Sequence, residues 1–153
     1  MCIRDNHGYF HANALKVPTG EFVYDAIEAR LILEDLFQME IPGFVYGSGS
    51  FTEDAAKGLA DAGFLYGRTT DNTLHVLDYE NPLLLKSSAH FRHDDFITRF
   101  EAAKQENGVF YFWGHSCEVQ NIESEWKKFE QRLAYIAADP ETQWIDVVDI
   151  VRR

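Results

Sequence analysis

The sequence is poor in the residues that mark several classes of protein. Cysteine occurs twice in 153 residues, as Cys2 and Cys117. Two thiols make no disulfide framework, and their spacing is not that of a CxxC zinc or redox motif. Free thiols suit a reducing compartment. The opening Met-Cys-Ile-Arg-Asp-Asn-His lacks the charged and apolar segments of an export signal, so a cytoplasmic location is expected. The four prolines are scattered, and no Pro/Gly/Ser-rich linker or repeat divides the chain. Apolar runs such as Val109–Trp113 fall far short of the ~18 residues of a membrane span. Lysine and arginine are scarce as well, 14 against 25 acidic residues, for a net charge of −11. With no basic cluster and a pI near 4.8, the field repels phosphate, which argues against nucleic acid and against an anionic membrane surface.

What is present is a globular composition. Hydrophobic residues make up 46% and aromatics 14%, too much for a disordered segment. The length fits a single domain over residues 1–153, a size at which roughly 68–70% of the unfolded surface is buried. Its ligands are expected to be neutral or cationic.

Along the chain, short apolar runs alternate with amphipathic stretches. Phe22, Ala26, Ala29, Leu33, Leu36 and Phe37 form one helical stripe, with Asp25, Glu28 and Asp35 opposite. Phe44–Tyr46 reads as a buried strand after Pro42-Gly43, and Ser50 with Glu53 reads as a capping box for a helix ending at Gly63. Phe64–Tyr66, Thr73–Leu77 and Leu83–Leu85 are further strand candidates. Asp94 or Asp95 caps a helix that buries Phe96, Phe100 and Ala103 and stops at Asn107-Gly108. Val109–Trp113 is the strongest strand signal, and Trp126, Phe129, Leu133, Ile136 and Ala137 mark a last long helix before Asp139-Pro140. Trp144–Val151 closes the chain as a short strand or helix. This alternation predicts an α/β chain with mainly parallel strands. Ligands of such folds meet the carboxyl ends of the strands. The loops after Tyr46, Leu85 and Trp113 are therefore the places to search, and each carries polar residues or histidine.

His7 and His11 form a His-x-x-x-His pair. On a helical turn two such imidazoles lie side by side and can clasp one divalent ion: zinc first, with nickel, cobalt or iron as alternatives. Two loop histidines bonded to backbone are the plainer alternative. His115 directly follows the strongest strand, where an imidazole is placed to protonate a leaving group; filling a turn is its plainer role. His90 and His93 either line the same mouth or precede a helix cap, and His75 reads as structural. No phosphate-binding loop and no Gly-x-Ser-x-Gly elbow is present, so Ser48 is not expected to be a nucleophile. Tyr46 and Trp113 are among the aromatics beside these loops; flat rings pack against sugars, but core packing is the commoner use.

Taken together, Asn6–His11, Gly43–Phe51, Ala62–Thr70 and Phe110–Ser116 resemble the polysaccharide deacetylases, the NodB-homology domains of carbohydrate esterase family four. The resemblance implies an α/β fold, an incomplete or distorted (β/α) barrel of the glycoside hydrolase–deacetylase type, and a metal-dependent hydrolase that removes acetyl groups from N-acetylated sugars. It implies His7 and His11 as metal ligands and His115 as the general acid. Tyr46, Gly47, Ser48, His93 and Trp113 would then face the acetylated carbohydrate. The family's paired aspartates, a base and a third ligand, precede its His-x-x-x-His motif and have no match among the six residues before His7; Asp5 offers a carboxylate but does not match that pair. Pro42 stands where the family often has arginine, and Gly47 where proline is usual. Three alternatives follow: a shortened deacetylase, a degenerate module that binds carbohydrate or metal without turnover, or a chain whose missing strand and aspartates a second chain restores. A missing first strand would leave an open sheet edge, so that edge is expected to be covered by the N-terminal segment or by a homo-oligomer. The hydrolase reading requires His7, His11 and His115 to converge at one mouth of the fold.

Overall fold

The computed structural model describes residues 5–152, so Cys2 lies outside the described residues. These divide into two compact units, each discontinuous in sequence. The first comprises residues 5–71, 79–86 and 145–152, and the second residues 72–78 and 87–144.

In the first unit, helix α1 (Thr19–Phe37) is followed by strand β1 (Gly43–Val45), helix α2 (Glu53–Asp61) and strand β2 (Tyr66–Asn72). Strand β3 (Leu85–Ser87) completes a sheet of order β1-β2-β3, and helix α5 (Val148–Val151) ends the chain. β1 and β2 are parallel, with Gly43 opposite Tyr66 and Val45 opposite Arg68. On the outer side of β1, Asn6 makes a parallel bridge with Phe44. It donates to Gly43 O at 3.1 Å and accepts from Val45 N at 2.7 Å. At this point the N-terminal segment itself covers the sheet edge, as one of the two expectations has it.

Why α2 begins where it does is a matter of capping. Thr52, rather than the expected Ser50, takes the N-cap and accepts from Ala55 N at 3.0 Å. Glu53 and Asp54 then sit in the first turn, where acidic groups favour the helix dipole. The α1 stripe is buried only in its first half. Phe22, Ala26 and Ala29 are buried, whereas Leu36 and Phe37 are exposed. Asp25, expected on the solvent side, is buried as well. Phe22, Phe44, Tyr46 and Phe64 form the aromatic centre of this core, with ring centroids 5.4–5.8 Å apart in the edge-to-face pairs.

The second unit pairs strand β4 (Ala89–His90) with strand β5 (Phe112–Trp113), parallel, with His90 opposite Trp113. Helix α3 (Phe96–Gln105) and helix α4 (Glu123–Ala137) supply its core residues Phe96, Phe100 and Ile136. The strong strand signal at Val109–Trp113 yields pairing over two residues only. Upstream, the Ser88 hydroxyl replaces a strand partner by accepting from Tyr111 N at 3.0 Å. Thr73–Leu77 forms no strand but a bent turn. Leu83 and Leu84 lie in a 3₁₀ turn, because Asn81 caps Leu83 N at 2.9 Å and Pro82 opens the turn. The result is a mixed α/β chain with parallel strand pairs; among the described residues the sheets do not close into a barrel. No helix among these residues is long and apolar enough to cross a membrane.

Candidate functional site

The loop carrying His7 and His11 leaves the carboxyl end of the Asn6 bridge and is irregular, not the helical turn expected from the spacing. Asn6 is fully buried. Its side chain donates to Ala26 O and accepts from Gly8 N at 2.8 Å. Gly8 has φ +81°, and a Cβ there would collide with the Asp25 carboxylate. Only glycine combines that dihedral with so close an approach. Buried Asp25 accepts from Phe10 N at 2.7 Å and so ties the loop to α1. The folded-back loop brings the two imidazoles edge to face, with centroids 4.5 Å apart and planes at 84°.

His7 Nδ1 lies 2.7 Å from Val45 O. A carbonyl only accepts, so Nδ1 carries a proton and Nε2 is the nitrogen that could serve a metal ion. Histidine ligands to metals are oriented in this way. The pair therefore fits two positions around a divalent ion. Among the described residues, however, no Cys, His, Asp or Glu joins both to make a cluster of three. Asp5 is engaged by the Tyr66 hydroxyl. Burial raises its pKa above the ordinary carboxylate value, opposed by the bond to Tyr66 and the charge of Arg68.

Gly47–Gly49 forms a 3₁₀ turn after β1. Gly47 is buried, and a Cβ there would stand 3.3 Å from the His11 ring. Ser48 is exposed. Tyr46 is a core residue: it is 1% exposed and stacks flat on Phe22 at 6.1 Å, so its ring presents no face to a sugar. Its hydroxyl is buried without a hydrogen-bond partner, and burial pushes its pKa up.

His115 belongs to the second unit and follows β5. Its surroundings hold a residue that sequence reasoning missed, Glu118, in the 3₁₀ turn Ser116–Glu118. Glu118 Oε2 accepts from His115 N at 2.8 Å, lies 3.2 Å from His115 Nδ1, and lies 2.8 Å from His90 Nε2. Oε1 faces Arg92 Nη1 at 3.4 Å, while Arg92 Nε binds Glu125 at 2.9 Å. Burial works to raise the Glu118 pKa, but the His115 backbone and side-chain bonds and His90 together hold it below the ordinary value. Burial lowers the His90 pKa, against the pull of Glu118. Arg92 N donates to His90 Nδ1 at 3.2 Å, which leaves the His90 ring proton on Nε2, directed at the carboxylate. The signal for Glu118 was an acid three residues after the strand-end histidine, a capping-box spacing with histidine in place of serine or threonine.

Trp113 is half-buried between the two imidazoles, with centroids 4.5 Å from His90 and 5.3 Å from His115. His93 does not join them through its ring; Nδ1 lies 2.7 Å from Asp95, which also binds Arg99 at 2.8 Å. These bonds hold the Asp95 carboxyl below the ordinary range. Asp95 thus clamps the start of α3 through side chains and makes no side-chain cap to its backbone. Of the expected site residues, His7, His11 and Gly47 meet in the first unit, and His115 and Trp113 meet in the second with His90.

No protein-family model matches the sequence, and no curated protein matches it. Two solved chains match. One is a crystal structure of a mutant of a pseudoenzyme of the CE4 family, at 15% identity and a TM-score of 0.46, with 84% of this chain covered and 42% of that one. This chain thus spans less than half the length of that structure.

Proposed function

We propose that the chain is a deacetylase-like module that holds a divalent metal ion, zinc first, and an acetylated carbohydrate without hydrolysing it. The observation that carries this reading is the His7–His11 pair, two rings 4.5 Å apart that no carboxylate completes among the described residues. Two imidazoles grip zinc loosely. Hydrolysis would also need a base for the attacking water, and losing one typically costs ~10²–10⁴-fold. Bound there, the ion would supply polarisation of an acetyl carbonyl. His7 would be held as its ligand by Val45, and His11 by the turn at Gly47. The exposed thiol of Cys117 suits the reducing cytoplasm in which we place the module.

A second reading, deacetylation with His115 as general acid, is favoured by the Glu118 carboxylate, whose Oε2 lies 3.2 Å from His115 Nδ1 and orients the exposed ring. One experiment separates the two. Purified chain loaded with zinc is incubated with chitooligosaccharides, and acetate release and calorimetric binding are followed. The module reading expects saturable binding and no acetate above the buffer rate. Acetate release that disappears in His115→Ala would replace it with the hydrolase reading, and the absence of any carbohydrate binding would end it.

A further inference from the structure

We propose that His90, His115 and Glu118 form a three-ligand site for a divalent transition metal, sharing no residue with the His7–His11 pair. One ring nitrogen from each histidine and one Glu118 oxygen lie within 4.8 Å of one another, and this is the one such cluster of three among the described residues. The Glu118 Oε2 separations are 2.8 Å to His90 Nε2 and 3.2 Å to His115 Nδ1. Two ligand atoms each ~2.0 Å from one ion at the tetrahedral angle stand about 3.3 Å apart. The side chains therefore already hold nearly the spacing that coordination needs. Two imidazoles and a carboxylate suit zinc or cobalt, and three protein ligands leave a position open.

The site is built on rigid parts. His90 is a β4 residue whose register opposite Trp113 is set by the parallel pair. Trp113 and Phe91 flank its ring at 4.5 and 5.0 Å. Gly114 lets the chain turn against Phe91, whose ring a Cβ would strike. The side chains of His90 and Glu118 are 18% and 20% exposed and that of His115 is 58% exposed, so the cluster opens to solvent on the His115 side. An incoming ligand or water would reach the ion there.

One ring nitrogen of each histidine now faces Glu118 Oε2, and the ion would take the place of a proton held between them. In each neutral ring the proton moves to the other nitrogen. For His90 that displaces the Arg92 N–H, which donates to Nδ1 at 3.2 Å. Arg92 also sets its guanidinium 3.4 Å from Glu118 Oε1. It is therefore a competitor for the carboxylate's charge, which makes a prediction specific to this site.

The test titrates the full chain with Zn²⁺ alone against a chromophoric chelator, and with Co²⁺ alone for its visible absorption. One tightly bound equivalent is expected. His115→Ala and Glu118→Gln each weaken it at least tenfold, and Arg92→Gln tightens it. The His7→Ala/His11→Ala double variant leaves it unchanged. His115 is exposed, so its loss should not disturb folding, and circular dichroism checks this. A zinc-induced rise in Tm that is present in the wild type and absent from folded His115→Ala reads the same site without the chelator. Unchanged affinity in folded His115→Ala overturns the proposal, as does the absence of tight binding in the wild type. Binding lost only in the double variant would also overturn it, while leaving the reading of the His7–His11 pair intact.

Discussion

The two units hold their histidines by different means. In the first, main chain does the positioning: His7 is fixed through Val45 O, and the loop is drawn down by Asp25 accepting from Phe10 N. In the second, a single carboxylate, Glu118, reaches two imidazoles, His90 on β4 and His115 just after the neighbouring β5. A backbone carbonyl sets one tautomer and adds no charge. A half-buried carboxylate brings charge, and with it a counter-ion, Arg92, and the two imidazoles hold the Glu118 pKa below its ordinary value. Backbone anchoring therefore yields a pair of rings that no third ligand joins in a cluster among the described residues. Side-chain anchoring yields a cluster that already contains three.

The comparison can be broken first at the two cores. Phe44 and Phe96 are each 1% exposed, one at the centre of each unit's aromatic cluster. Phe44→Ala and Phe96→Ala should each cost about 3–5 kcal/mol, read from denaturant midpoints at constant m. A loss under ~1 kcal/mol at either would mean that its rings are not a packed core.

A smaller effect should sharpen the contrast in how the histidines are held. Gly8→Ala forces an alanine to φ +81° against Asp25, and Gly114→Ala drives a methyl into the Phe91 ring. Each should cost about 1–3 kcal/mol. Imidazole resonances of His7 and His11 should move in the first variant, and those of His90 and His115 in the second. The reverse pattern would contradict the anchoring described.

The smallest effects are in pH dependence, and they carry opposite signs. The Asp5 pKa is raised in the folded chain by burial. Its favourable contribution is full below the unfolded value near 3.8 and is lost as pH rises through the folded value. Asp5→Asn should therefore stabilise the protein at pH 7, with the gain vanishing below about pH 4. The His90 pKa is lowered, chiefly by burial. Its contribution is full above the unfolded value near 6.5 and is lost as pH falls through the folded value. His90→Gln should flatten the stability profile in that window. Urea midpoints across pH 3–8 check both, and a steeper profile in His90→Gln would refute the second.

Helices were legible because their signals are local. The spacing of Phe22, Ala26 and Ala29, and the stop at Asp139-Pro140, each lie within a few residues of what they control. Capping was legible in kind but slipped in position: Thr52 outcompeted Ser50 two residues away. Strands were less legible. The apolar run at Val109–Trp113 pairs only at its end, since strand length depends on where the partner's hydrogen bonds fall and Ser88 intervenes with its hydroxyl. The His7–His11 contact was anticipated from helical spacing yet arises from positive φ at Gly8 and His11, a backbone route that spacing does not encode. Tyr46 looked like a groove residue because it precedes a loop, but its side chain points into the Phe22 and Phe44 rings.

By itself the sequence determined the α/β class of the chain, the order of its helices, its acidic charge and the placing of His115 just after a strand. Those follow from composition and from periodicities that act over one or two turns of chain, whereas His90, expected in a loop after Leu85, lies in β4. Which imidazoles share a carboxylate was decided only by tertiary structure. Glu118 reaches His90 across 28 positions, and that meeting exists because the parallel register sets His90 beside Trp113. A periodicity of two or of 3.6 residues carries no information about the register between strands, and it is register that turns three separate residues into one cluster.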